Sequence, residues 1–87
     1  MIYLIFAFRS RTQSIRFGGE LRNAGVNNVL ISTPRDVSVG CGLSVKIDES
    51  AIGIATAKFH ALGLNTFIGA FRITHVGREK YVERLPL

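Results

Sequence analysis

Cysteine is nearly absent from this 87-residue chain, in which Cys41 is the only one. A lone cysteine cannot form a disulfide within the chain, so we expect a reducing compartment and a cytoplasmic location. Long apolar runs are lacking as well. The longest run, MIYLIFAF at residues 1–8, is far shorter than the roughly 20 residues that span a bilayer. It also lacks the basic start and cleavage site of a secretory signal, and we expect no membrane association.

Acidic residues are scarce: six Asp and Glu stand against 11 Lys and Arg, which gives a net charge of +5. Such an excess could serve an anionic partner, but the basic residues are scattered and predict a solvated surface. We expect no nucleic acid partner, because the RNP1 pattern of RNA-binding sheets is missing. The scattered positions are Arg9, Arg11, Arg16, Arg22, Arg35, Lys46, Lys58 and Arg72.

Hydrophobic periodicity predicts six elements in the order β-α-β-β-α-β. Residues 1–8 predict a strand buried on both faces, and Ser10 is a suitable N-cap for a helix that ends at Gly25. The runs VNNVLIST, LSVKI and TFIGAFRIT predict three more strands. A second helix is expected between the last two of these strands and should end at Gly63. Gly18 and Gly19 interrupt the first helix, which we attribute to close packing on the sheet.

This order predicts an α+β, ferredoxin-like fold for residues 1–74. Right-handed crossovers give a four-stranded antiparallel sheet in the order 4-1-3-2, with two helices on one face. Residues 75–87 are amphipathic and are predicted to be a C-terminal extension, helical or extended, that docks on a partner subunit.

The predicted topology places Cys41 at the edge of the sheet where the first strand ends. The first helix begins there at Ser10, so its free N–H groups and the side chain of Arg9 should face the thiol. Arg35 lies in the same loop as Cys41. Positive charge and a helix N-terminus lower a thiol's pKa, and Gly40 and Gly42 would let a reactant approach closely. The alternative, a cysteine buried as a small hydrophobe, stays open at this point.

Two short motifs accompany the cysteine: FRS-x-T-Q at residues 8–13 and TPR-x-x-S-x-x-CG at residues 33–42. With these motifs the sequence resembles the selenium/sulfur-carrier-like domains, which are small bacterial proteins, over about residues 1–74. The resemblance implies that Cys41 carries activated sulfur or selenium, and that donor and acceptor proteins are its partners. It also implies a site shaped by Thr33, Pro34, Arg35, Ser38 and Gly42.

Neither a metal nor another cofactor is expected. One cysteine and two separated histidines, His60 and His75, lack the ligand spacing of a zinc site.

A second hypothesis is a non-catalytic binding module. The first strand is apolar on both sides, with Ile2, Leu4, Phe6 and Phe8 on one side and Tyr3, Ile5 and Ala7 on the other. One of the two sides should pack on the helices and the other should face away from them. The side that faces away should then be an exposed apolar patch or an interface, so we expect a homo-oligomer, with a dimer through the open face or a strand edge.

Overall fold

A computed structural model describes residues 1–40 and 42–87. The described residues form two α-helices, a short 3₁₀ turn and five strands. In chain order these are β1 Ile2–Phe8, α1 Arg11–Asn23, β2 Asn28–Ser32, β3 Leu43–Asp48, the turn Glu49–Ala51, α2 Ile52–Leu62, β4 Phe67–Val76 and β5 Glu79–Leu85.

The sheet has five strands in the order β2-β3-β1-β4-β5, and every neighbouring pair is antiparallel. The α+β class is confirmed, and the first four strands have the predicted neighbours. The prediction of a four-stranded sheet is wrong, because β5 adds a strand to the edge of β4. The two strands join through a two-residue loop that begins with Gly77, whose φ of +59° suits a tight hairpin.

The helix face of the sheet carries an aromatic core. Phe6 and Phe8 of β1 and Phe17 of α1 are fully buried. The ring centroid of Phe17 lies 5.1 Å from that of Phe6 and 5.5 Å from that of Phe8. Phe59 of α2 and Phe67 of β4 pack against the same cluster. Each fully buried side chain of this size contributes about 1.5–3 kcal/mol, so this layer fixes both helices on the sheet.

Close packing of α1 on the sheet explains Gly18. A Cβ added there would lie 2.8 Å from Oδ1 of Asn28, whose Nδ2 donates to the Gly18 carbonyl at 2.9 Å. The predicted reason for this glycine is therefore confirmed. A Cβ at Gly19 would meet no atom within 4 Å, and nothing in the structure explains that glycine.

Residues 34–40, which we call the flap, contact the other face of the sheet through Val37. Val37 of the flap packs against an apolar cluster formed by Ile5, Ala7, Phe71 and Ile73. The cluster residues are 5% exposed or less. The expected apolar patch is therefore wrong for Ile5 and Ala7, which are fully buried in a cluster that Val37 of the flap packs against.

Neither helix in the described part of the chain has the length and apolar character needed to cross a membrane.

Candidate functional site

The base of the flap is closed by two residues of the TPR-x-x-S-x-x-CG motif. The backbone N–H of Thr33 donates to the carbonyl of Gly42 at 3.1 Å. The Thr33 hydroxyl shares a 2.8 Å hydrogen bond with the buried hydroxyl of Ser44 on β3. These contacts hold the two ends of the connection together where β2 ends and β3 begins.

Gly42 leaves little room for a side chain between it and the end of β1. A Cβ at this position would be 3.0 Å from the carbonyl oxygen of Phe8 and 3.1 Å from Oγ1 of Thr33. One of the neighbours is backbone within a central strand and has little freedom to move. The close approach of Gly42 to the end of β1 therefore favours glycine at this position.

Cys41, the predicted carrier thiol, lies outside the described residues. Its neighbour Gly40 is exposed, and a Cβ there would meet no atom within 4 Å. The prediction that Cys41 faces the start of α1 and the side chains of Arg9 and Arg35 therefore stays a prediction.

Gly42 lies at the end of the central strands where α1 begins. Ser10 is the N-cap of α1, and its hydroxyl accepts a hydrogen bond from the backbone N–H of Gln13 at 3.2 Å. Because Phe8 pairs with Leu43, the end of β1 and the start of β3 are adjacent, as the predicted topology required. The positive end of the α1 dipole opens at this edge.

A polar cluster that the sequence interpretation left without a role fixes this edge. The Gln13 side chain accepts from both the N–H and the hydroxyl of Thr66, at 3.0 and 2.7 Å, and donates to Asn65 at 2.7 Å. Thr66 in turn accepts from the backbone amides of Arg9 and Ser10. The glutamine of the first motif therefore ties α1 to the segment before β4.

A register shift in β4 lies beside the same edge. The pairing of β1 with β4 slips between Ala7 and Phe8, which leaves Ile68 as the extra residue opposite them. Ile68 joins the apolar cluster under the flap and would contact a Cβ at Gly42 at 3.7 Å. Such bulges are common next to functional sites because they redirect side chains. The alternation of residues 67–74 did not predict this register shift, because FIGAFRIT has the pattern of a regular strand.

The arginines predicted at the site are exposed but are not joined to one another. Arg9 and Arg35 form no ion pair within the described residues, where the carboxylates of Glu20, Asp36, Glu49 and Glu83 pair with other cations. Arg35 lies on the flap, next to Asp36, which forms an ion pair with Lys80 of β5.

Pro34 and Ser38 shape the flap itself. The carbonyl of Pro34 accepts hydrogen bonds from the amides of Val37 at 3.0 Å and of Ser38 at 3.1 Å. These bonds form a compact turn that lowers Val37 onto the sheet. The structure thus gives Thr33, Pro34, Ser38 and Gly42 defined positions in one loop.

Two other features lie apart from this loop. A cavity of about 400 Å³ lies at the opposite end of the sheet, between Met1, Tyr3, Asn28, Lys46 and Asp48. Among the described residues, no group of three or more His, Cys, Asp or Glu side chains could hold a metal ion.

The fold and the loop together define an α+β domain in which a flap anchored by a T-P-R-x-x-S motif leads to a C-G pair. A family described as "Putative Se/S carrier protein-like" matches residues 3–66. This match covers most of the chain, and the protein belongs to that family. Its limits are narrower than the predicted residues 1–74 and stop before β4. Comparisons with curated proteins and with solved structures find no match.

Proposed function

We propose that this protein carries sulfur or selenium on the thiolate of Cys41. The observation that carries the proposal is the family match, which includes the whole of both motifs and the only cysteine of the chain. The close approach at Gly42 and the N-terminus of α1 at the same edge support it. Arg9 and Arg35 are exposed and available to an anionic terminal atom.

The chemistry needs no external oxidant if the donor is itself a persulfide or a perselenide. The Cys41 thiolate attacks the terminal chalcogen of the donor, and a new S–S or S–Se bond forms. The bond between that atom and the donor sulfur breaks, and the donor leaves as a thiolate with the electron pair. The product is Cys41 persulfide or its selenium analogue, which an acceptor thiolate can take over in the same way.

This exchange works only while the thiolate is populated and reduced. A general base is then unnecessary, and nearby positive charge serves to keep the thiol ionised. A reducing compartment such as the cytoplasm fits that requirement. We propose that residues 1–74 form the ferredoxin-like carrier unit and that residues 75–87 extend it.

The test is loading by a small persulfide donor, followed by mass spectrometry of the Cys41 peptide. We expect a gain of one sulfur atom and its release to an added thiol. Cys41→Ser should abolish loading. A matched control places the thiol two residues away, as Val39→Cys in the Cys41→Ser background, because Val39 is 91% exposed.

The unsubstituted protein and the Val39→Cys, Cys41→Ser variant also test whether the Cys41 thiol ionises more readily than an ordinary thiol. The rate of alkylation against pH should give Cys41 a pKa below the value of about 8.5 for a free thiol. The control thiol at position 39 should titrate near that value. Equal titration of the two thiols, together with no persulfide on Cys41, would refute the carrier proposal.

A binding module that dimerises is the second candidate, and the β2 edge favours it. Val29 and Leu30 are 60% and 39% exposed on an edge strand that carries no charge. Uncharged, exposed edges pair readily with other strands. Light scattering at micromolar concentration should give a dimer that Leu30→Lys converts to a monomer, and Cys41→Ser should leave this dimer intact. A monomer in the unsubstituted protein would refute this candidate.

A further inference from the structure

One contact spans the flap-covered face of the sheet. Nζ of Lys80 on β5 lies 3.0 Å from Oδ2 and 3.2 Å from Oδ1 of Asp36 in the flap. The flap leaves the sheet from β2 at one edge, whereas β5 forms the opposite edge. The ion pair therefore fastens the connection to the far side of the sheet.

β5 also supplies a second cation to this face. Arg84 lies over the ring of Phe71 at 4.8 Å and donates to the carbonyl of Ile68 at 3.2 Å. It covers the part of the apolar cluster next to the register shift. The last strand, which lies beyond the family match, thus completes the face on which the family's motif loop lies.

The flap has few other attachments among the described residues. Val37 is half-buried in the apolar cluster, and the Pro34 carbonyl holds only the internal turn of the flap. Val39 is 91% exposed. Removing one attachment should therefore change the fraction of time that the flap spends open.

We propose that the Asp36–Lys80 ion pair is a tether that holds the flap closed, and that both residues position the loop leading to Cys41. The role in carriage rests on the proposed function; the tether itself rests on the contact. Opening of the flap removes Val37 from the cluster of Ile5, Ala7 and Ile73. The side chains of Asp36 and Lys80 are 47% and 32% exposed, so the tether is weak and reversible.

Hydrogen exchange at the amides of Val37 and Ser38 measures the tether without reference to the cysteine. We expect Lys80→Met and Asp36→Asn each to speed exchange about two- to fivefold, the range for a partly exposed pair. The double variant should gain no more than either single one, and the charge-reversed pair Asp36→Lys with Lys80→Asp should restore slow exchange. Salt at about 1 M should mimic the single variants.

The matched control is Lys58→Met, which removes another partly exposed ion pair, with Glu20 at 3.9 Å on the helix side. It should leave the exchange of Val37 and Ser38 unchanged. Unchanged exchange in Lys80→Met, or an equal effect from Lys58→Met, would overturn the tether. Thermal melting of each variant confirms that it is folded.

Alkylation of Cys41 tests the positioning role. Lys80→Met should change its rate about two- to fivefold, in step with amide exchange. If exchange responds but alkylation does not, the tether stands and the positioning role is overturned. If both respond but Cys41 of the unsubstituted protein is never loaded by a persulfide, the carrier proposal fails and the tether stands.

Discussion

The two faces of the sheet are covered in different ways. On the helix side, α1 and α2 bury Phe6, Phe8 and Phe17 completely. On the flap side, a seven-residue loop covers the sheet with one half-buried valine and one ion pair. Residues 4–8 of β1 are fully buried on both faces of the sheet. Only the helix side, however, is covered by elements whose detachment would require global unfolding.

Hydrogen bonds sharpen this difference. The buried Ser14 hydroxyl of α1 donates to the carbonyl of Leu43 on β3 at 2.6 Å. The corresponding contact of the flap, between Asp36 and Lys80, is open to water and salt. The comparison teaches that stability is concentrated on the helix side, while the motif loop lies on the side that can respond to a partner.

The largest expected effect comes from the helix side. Phe6→Ala removes a fully buried ring from an aromatic cluster and should lower the free energy of unfolding by about 3–5 kcal/mol. Denaturant unfolding measures this loss. Ile15→Ala is the control on α1, where the side chain is 55% exposed, and it should cost less than about 1 kcal/mol. Equal costs would mean that the aromatic layer is not the main source of stability.

The next effect lies where the two sides meet, at the base of the flap. Gly42→Ala forces a Cβ to within 3.0 Å of the Phe8 carbonyl, and we expect a loss of about 1–3 kcal/mol. Gly40→Ala is the matched control, because a Cβ there meets nothing within 4 Å. It should change stability by less than about 0.5 kcal/mol. Comparable losses in the two variants would contradict the close-approach explanation of the CG pair.

A smaller effect is expected within the flap. Val37→Ala removes two methyl groups from a half-buried side chain and should weaken the closed flap by about 1 kcal/mol. Faster exchange of the Ser38 amide should report this local opening, while amides of β1 stay protected. Val39→Ala, at a side chain that is 91% exposed, is the control. Faster exchange across the whole sheet would show that the flap is as integral to the fold as the helices.

Much of the fold was predictable because it follows local periodicity and caps. The N-cap at Ser10 is confirmed by its bond to Gln13, and both helices are followed by glycines with positive φ, Gly25 at +85° and Gly63 at +62°. The neighbours of the first four strands followed from the order of elements. The fifth strand did not, because the apolar residues of EKYVERL, Tyr81, Val82 and Leu85, fit one face of a helix as well as they fit a strand.

The site was less predictable than the fold. Chain continuity and topology correctly placed Gly42 beside the end of β1. The tether joins residues 44 positions apart, and no local pattern indicates such a contact. The bond between Thr33 and Ser44 at the loop base was not predictable either. Ser44 alternates with Leu43 and Val45 as an outward-facing residue would, yet it is fully buried.

The smallest effect concerns a cap on the helix side, at the turn before α2. Asp48 accepts a hydrogen bond from the Ser50 amide at 3.0 Å and another from the Ser50 hydroxyl. The bond from the hydroxyl, and to a smaller extent the bond from the amide, hold the pKa of Asp48 below its ordinary value. A lowered carboxyl pKa means that the stabilisation is complete above the unfolded-state value of about 3.9 and disappears as pH falls through the folded-state value.

Ser50→Ala removes the hydroxyl donor and should lower the melting temperature at neutral pH by less than Val37→Ala does. The difference from the unsubstituted protein should shrink below about pH 4, since protonated Asp48 no longer gains from the donor. The exchange of the Val37 amide should not change, because the turn lies on the helix side of the molecule. A melting difference that stays constant with pH would contradict the capping role of Asp48. Faster flap exchange in this variant would show instead that the two faces are coupled.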